Sequence, residues 1–233
     1  MKVKHMPCPE CRKQGKDRSG DNLAVYPDGG TFCFSCGHST PSTKFTPDLP
    51  QTFIGSKFKE SELPQSARNY LSVWLNQEEI NKHFTFDKPY DRVVLKDTLP
   101  SFYWGKSYTS GVRPKVYTEG SVPVHIFGGY NTTNLVIVED PISAIKVSRV
   151  KGLDVLPLFG SHLSLKVLRC LSLMPKENLF IWLDNDKEKE GLSMCLSLRH
   201  LFKCKWVSTN FDPKSYRPEE IIKILGLKDA PTN

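Results

Sequence analysis

Four cysteines in two C-x-x-C pairs, Cys8-Pro-Glu-Cys11 and Cys33-Phe-Ser-Cys36, constrain this chain more than any other feature. Each spacing sets two thiols on one tight backbone knuckle. Two knuckles together supply the tetrahedral, all-sulfur set that suits a structural zinc ion. Between them, Leu23–Tyr26 and Thr31–Phe34 flank the turn residues Pro27-Asp28-Gly29-Gly30. This predicts strand, turn, strand, so the second knuckle follows a β-hairpin. A segment this short cannot bury a core of its own, and metal binding would supply its folding energy. Disulfides are the competing use of four cysteines. Nothing near the N-terminus resembles a secretory signal, so a reducing cytoplasm is the expected compartment, and there metal wins over cystine. The sequence therefore predicts a zinc ribbon over residues 1–40.

The chain has 233 residues, enough for one ordinary domain beside the ribbon. Its formal charge of +7 fits a polyanionic partner. Lys2, Lys4, Arg12, Lys13, Lys16 and Arg18 surround the first knuckle against only Glu10 and Asp17, as expected of a ribbon that faces phosphate. No apolar run approaches the roughly 18 residues of a membrane span. Cys170, Cys195 and Cys204 lack metal spacing and sit among leucines, so they read as packing residues.

Residues 41–60 carry three prolines before Lys59 and no hydrophobic period, which predicts a flexible linker. A mixed subdomain is expected over 61–132. Ala67, Tyr70, Leu71 and Trp74 share one face of a helix over Gln65–Leu75, and Asn76 can cap a second helix over Gln77–His83. Arg92–Lys96, Phe102–Tyr108, Lys115–Thr118 and Val124–Phe127 read as short strands of an antiparallel or mixed sheet.

From 133 to the end the pattern changes to alternating strand and helix. Leu135–Val138 is a continuous apolar run, as expected of a strand covered on both faces. Pro141 can open a helix that runs to about Arg149. Further strands are predicted at Asp154–Phe159, Leu179–Leu183 and Lys205–Ser208. Helices are predicted at Ser164–Leu173, Glu188–Phe202 and Pro218–Leu225, the last capped by Gly226. Such alternation implies an α/β fold with a mostly parallel sheet, flanking helices and right-handed crossovers.

Two of these strands end in acid: Val138-Glu139-Asp140, and Leu183-Asp184-Asn185-Asp186. Sites of parallel α/β sheets lie at the carboxyl ends of strands. Carboxylates gathered there repel one another unless a cation neutralises them, and an oxygen-rich, hydrated set suits magnesium, or manganese in its place. Glu139, Asp184 and Asp186 are the candidate ligands.

The Val-Ile-Val-Glu end at Glu139, followed by Asp184-x-Asp186, resembles the Toprim domain of bacterial-type primases, topoisomerases and some nucleases. With a cysteine-pair ribbon, a tether and a small mixed domain ahead of it, the chain resembles the phage and bacterial primases, and most the primase half of phage primase–helicases. The likeness implies a Toprim-type sheet preceded by a small α+β subdomain and a zinc ribbon. It also implies a DNA-directed RNA polymerase of the primase type, which joins ribonucleoside triphosphates on a single-stranded DNA template. In that reaction Asp184 and Asp186 would hold magnesium on the triphosphate, and Glu139 would complete the metal site or accept the hydroxyl proton. Lys106, Arg113 and Lys115 would supply cations for template or triphosphate, and Phe102, Tyr103, Trp104 and Tyr108 are candidates for base stacking. A separate replicative helicase is a candidate partner, since no G-x-x-x-x-G-K-[ST] motor motif occurs in the chain. The compartment would be the bacterial host cytoplasm for a phage-encoded protein.

The sequence departs from that family at four points. Ser143 stands where the first acidic motif usually has Asp, and serine is a weak ligand. Asp140 stands where Gly is usual and is a candidate substitute ligand. Lys187-Glu-Lys-Glu190 delays Gly191 after the Asp-x-Asp. Gly30 stands where some relatives carry a template-reading polar side chain. The rival readings are a catalytically weak or inactive DNA-binding accessory protein, favoured by Ser143, and a Toprim nuclease.

Overall fold

A computed structural model describes residues 4–16, 20–25, 29–33, 35–36, 38–40, 58–110, 114–129 and 132–227. Lys2, Asp17, Arg18, Arg113, the hairpin tip at 26–28 and nearly all of the expected linker lie outside the described residues. The chain divides into two compact units, Met1–Pro50 and Gln51–Asn233.

The first unit is a small antiparallel sheet with one short helix. Its strands are β1 (Lys4–Met6), β2 (Leu23–Val25), β3 (Thr31–Cys33) and β4 (Ser39–Thr40), in that spatial order, and α1 spans Pro9–Lys13. The hairpin expected between the knuckles is β2–β3, with Leu23 opposite Cys33. Its hydrophobic cluster is Leu23 with Cys8, Cys11 and Cys33. One leucine and three thiols cannot offset the entropy of ordering the chain at roughly 1–2 kcal/mol per residue, so the sulfurs themselves must be the staple.

The second unit contains two sheets. The first is antiparallel throughout: β5 (Glu60–Ser61), β6 (Phe84–Asp87), β7 (Arg92–Leu95), β8 (Phe102–Lys106) and β9 (Val116–Gly120) lie in sequence order. Helices α2 (Gln65–Ser72) and α3 (Gln77–His83) precede β6. Asn76 caps α3 as its sequence predicts: Asn76 Oδ1 accepts the Glu79 amide at 2.9 Å, and Glu79 accepts the Asn76 amide at 2.9 Å. Strand β6 has no counterpart in the sequence reading, because four residues following directly on a helix offer no measurable period. Val124–Phe127 does not form the expected strand. It makes a single bridge, Phe127 to Val155, and is held instead by Ile126 and Phe127, which enter different cores.

The second sheet is parallel: β10 (Asn134–Val138), β11 (Asp154–Pro157), β12 (Asn178–Ile181) and β13 (Lys203–Trp206), in the spatial order β11-β10-β12-β13. Helices α4 (Pro141–Val147), α5 (Leu165–Leu173) and α6 (Glu188–Leu198) make the crossovers, and α7 (Pro218–Leu225) ends at Gly226 with φ 68°. The α/β architecture is the expected one. Strand β10 shows why its sequence is apolar throughout. Val136 and Val138 enter a core shared with Leu71, Ile80 and Trp104 of the antiparallel half, while Leu135 and Ile137 enter a second core with Val167, Leu171, Met194 and Leu198. Arg149, just past α4, donates to Glu79 at 2.7 Å and further ties the two halves. Gly191 lies in α6, where an added Cβ would stand 3.1 Å from the Trp206 indole nitrogen, so the helix approaches β13 closely there. Cys195 is buried as expected, whereas Cys170 and Cys204 are only partly covered.

Trp104 is 1% exposed in the shared core, which excludes it from base stacking. Trp104→Ala should lower unfolding free energy by about 3–5 kcal/mol, read as a reduced urea midpoint at unchanged slope.

Candidate functional site

The four cysteine sulfurs lie within 4.8 Å of one another, the only such His, Cys, Asp or Glu group of three or more among the described residues. Cys8 and Cys36 are 3.7 Å apart and Cys11 and Cys33 3.6 Å apart, so each close pair draws one sulfur from each knuckle. A sulfur tetrahedron with metal–sulfur bonds of about 2.3 Å has edges of about 3.8 Å, and the observed spacings fit it. The backbone supports the set: Arg12 N donates to Cys8 O and Lys16 N to Cys11 O, both at 2.9 Å. Burial resists ionisation of the Cys33 thiol, but the backbone amides of Cys36 and Ser35 outweigh it and push its pKa down to about 7. Burial pushes the Cys11 thiol up to about 12. The donor set fits a zinc ion.

In the second unit the chemistry gathers where β10 and β12 lie side by side. The chain leaves β10 through α4 to β11 on one flank and reaches β12 on the other, so the sheet's order reverses between these strands. A crevice at the carboxyl ends of such a pair is the ligand position of open parallel sheets. Glu139 follows β10 and Asp184 follows β12. Each carries one carboxylate oxygen, Glu139 Oε2 and Asp184 Oδ1, that is buried without a hydrogen-bond partner. A buried, unsatisfied carboxylate oxygen is costly, and a cation is the natural partner for two of them. Asp186 sits apart: its side chain is 72% exposed and stands 3.7 Å from Lys187.

Burial and then the negative charges of Asp184, Asp140 and Asp186 push the Glu139 pKa up to about 7. Burial and Asp140 raise Asp184 to about 6, against the opposing pull of Lys214. Asp140 behaves oppositely. Burial resists its ionisation, but Lys106, Lys214 and the Ser143 amide hold its pKa well below the ordinary carboxylate value. Both its oxygens are engaged. Oδ1 accepts the Ser143 amide at 2.8 Å, capping α4, and Oδ2 accepts Lys106 at 3.1 Å and Lys214 at 3.5 Å. Asp140 is therefore an ion-pair hub and helix cap. Ser143 is fully buried and its hydroxyl has no partner.

Lys214 is the residue that sequence reasoning missed. It is buried and lies 3.2 Å from Asp184 Oδ2, 2.8 Å from Asp212 Oδ2 and 3.5 Å from Asp140 Oδ2. The signal was present in Asp212-Pro213-Lys214, a further polar turn beyond the end of a parallel strand. Beside this network lies a cleft of about 460 Å³. Lys106, Lys115 and Lys214 line it together with the aromatic residues Tyr70, Trp74 and Tyr108. Of the three basic residues predicted from sequence, Lys115 is exposed, Lys106 is buried against Asp140, and Arg113 lies outside the described residues. Phe102, Tyr103 and Trp104 are buried, so Tyr108 alone among the four stacking candidates reaches the cleft. A second cavity of about 510 Å³ between α5 and α6 contains none of these groups.

No protein-family profile matches the sequence, and no curated protein matches it. Among solved structures, the zinc-binding and RNA polymerase domains of the Aquifex aeolicus primase match 97% of this chain and 80% of their own, with a TM-score of 0.54 at 14% identity. The chain has a primase fold. The primase fragment of the bacteriophage T7 primase-helicase protein also matches, over 96% of this chain and 97% of its own, with a TM-score of 0.47 at 16% identity.

The raised carboxylates give the metal-free chain a definite pH dependence. Glu139 binds protons more tightly when folded than at its ordinary value of 4.5, so its contribution is fully present below that value and lost as pH rises toward 7. With metal chelated, Glu139→Gln should raise the melting temperature above pH 7, and the difference should vanish near pH 4.5. Thermal melts across that range check this.

Proposed function

We propose that the chain is a DNA primase, which makes short RNA primers on single-stranded DNA by divalent-cation-dependent nucleotidyl transfer. The observation that carries the reading is the pair of buried, unpartnered oxygens on Glu139 and Asp184, at the strand-order reversal of a primase fold. The parallel sheet then acts as a Toprim domain. Glu139 and Asp184 would hold a magnesium or manganese ion, and Asp186, on its exposed turn, is the further candidate ligand. Bound there, the ion would neutralise triphosphate oxygens and the charge that develops during transfer.

The chain's own residues do the rest. Asp140 and Asp184 draw Lys106 and Lys214 to the edge of the cleft, where exposed Lys115 can meet an incoming triphosphate. Tyr108, Trp74 and Tyr70 offer an aromatic wall for a base. Glu139 also stands where it can accept the proton of the attacking 3′-hydroxyl. The ribbon, held by zinc on Cys8, Cys11, Cys33 and Cys36, binds template through the basic residues around its first knuckle. A separate helicase would deliver that template.

A second reading rests on one observation. Lys106 and Lys214 already neutralise much of the acidic cluster, as a binding protein that had given up catalysis would allow. Primer synthesis separates the two. Zinc-loaded protein given single-stranded DNA, ribonucleotides and magnesium, with or without a helicase, should make oligoribonucleotides, and Glu139→Gln should cut their yield at least about 100-fold. No product on any template would sink the primase reading, and metal-dependent loss of labelled DNA without nucleotides would indicate a nuclease. Native mass spectrometry should find one zinc per chain. Chelation should abolish amide-exchange protection across β2 and β3, because binding and folding are coupled in such modules.

A further inference from the structure

Lys214 stands where a cation would stand. Its ammonium lies within 3.5 Å of carboxylate oxygens from three separate segments: Asp140 after β10, Asp184 after β12 and Asp212 after β13. Asp184 is thereby divided. Its Oδ2 faces Lys214 at 3.2 Å, while its Oδ1 is buried without a partner, as is Glu139 Oε2. Asp212 is divided in the same way, with Oδ2 on Lys214 at 2.8 Å and Oδ1 accepting the Asn185 amide at 3.4 Å. Asp140 has no free oxygen, since the Ser143 amide and the two lysines take both. The cluster therefore has two sides. On one, the carboxylate oxygens are already matched by a fixed, buried positive charge. On the other, two buried oxygens have none.

We propose that Lys214 is a built-in cation that permanently fills one half of the acidic cluster, so that the site takes a single divalent ion, on the Glu139–Asp184 side. This rests on the reading of Glu139 and Asp184 as divalent-cation ligands. The physical argument is charge exclusion. A second divalent ion between Asp184 and Asp212 would have to displace an ammonium held by three carboxylates, and a buried charge stripped of its partners is costly. Lys214 is thus a positioning residue. It engages Asp184 and Asp212 through their Oδ2 atoms and leaves Asp184 Oδ1 unengaged, and it ties together the segments that follow three strands without a metal. Removing it frees Asp184 Oδ2 and Asp212 Oδ2 together, and a pair of freed carboxylates recruits a hard cation.

The test is to count manganese ions on the zinc-loaded full chain by electron paramagnetic resonance of free Mn²⁺, scoring only sites that Asp184→Asn removes. The wild type should bind one ion, Lys214→Ala two, and Lys214→Arg, which keeps the charge, one. Manganese should also raise the melting temperature of Lys214→Ala more than that of the wild type. Two ions on the wild type, or one on folded Lys214→Ala, would overturn the inference and leave the primase reading standing. No ion on the wild type would overturn both the inference and the assignment of Glu139 and Asp184 as ligands. If Lys214→Ala does not fold, the wild-type count still decides, since two ions there are incompatible with a lysine that excludes the second.

Discussion

The second unit depends on the burial of one five-residue strand, β10, on both of its faces. Because β10 is central, side chains of alternate parity enter two different cores, and its end cannot shift without disturbing both. Glu139 and Asp140 follow immediately, so their backbone position is fixed by packing that has nothing to do with charge. The acids are then sorted by what reaches them. Asp140 meets two lysines and an amide and stays ionised, while burial and the neighbouring acids raise Glu139 to about 7. Neighbouring carboxyl groups on one strand end thus acquire opposite behaviour from their environments.

Much of this was readable from sequence because the signals were local. The continuous apolar run at 135–138, the Asn76 cap with its Glu79, the Pro141 helix start and the Gly226 helix end each depend on a few adjacent residues. The cysteine spacing likewise fixed the ribbon's sulfur set. What was not readable required knowing which strand ends become neighbours. Lys214 is unremarkable in sequence, and its three partners lie 74, 30 and 2 positions away along the chain, the first two brought near only by the strand order β11-β10-β12-β13. Lys106 lines the cleft, but its charge is paired in a way the sequence did not reveal. Its place beside a strand and turn suggested a cation for template or triphosphate, whereas β8 is buried along its length and the lysine's charge is satisfied within the protein. That Asp140 is a hub was likewise hidden, because only the fold reveals that both its oxygens are occupied.

The contact from Glu79 to Arg149, and the core that accompanies it, also bears on how such a chain can be made. Leu71 of α2, Ile80 of α3 and Trp104 of β8 share a core with Val136 and Val138 of β10, Ile142 of α4 and Trp182, all of which lie some thirty or more positions further on. During synthesis the first three emerge from the ribosome first and lack these later partners until the later segment follows. The core between the two sheets is finished only when both halves are present, so the second unit should behave as one cooperative folding domain despite its two sheets. Its N-terminal half is the stretch most exposed to aggregation while translation is still in progress.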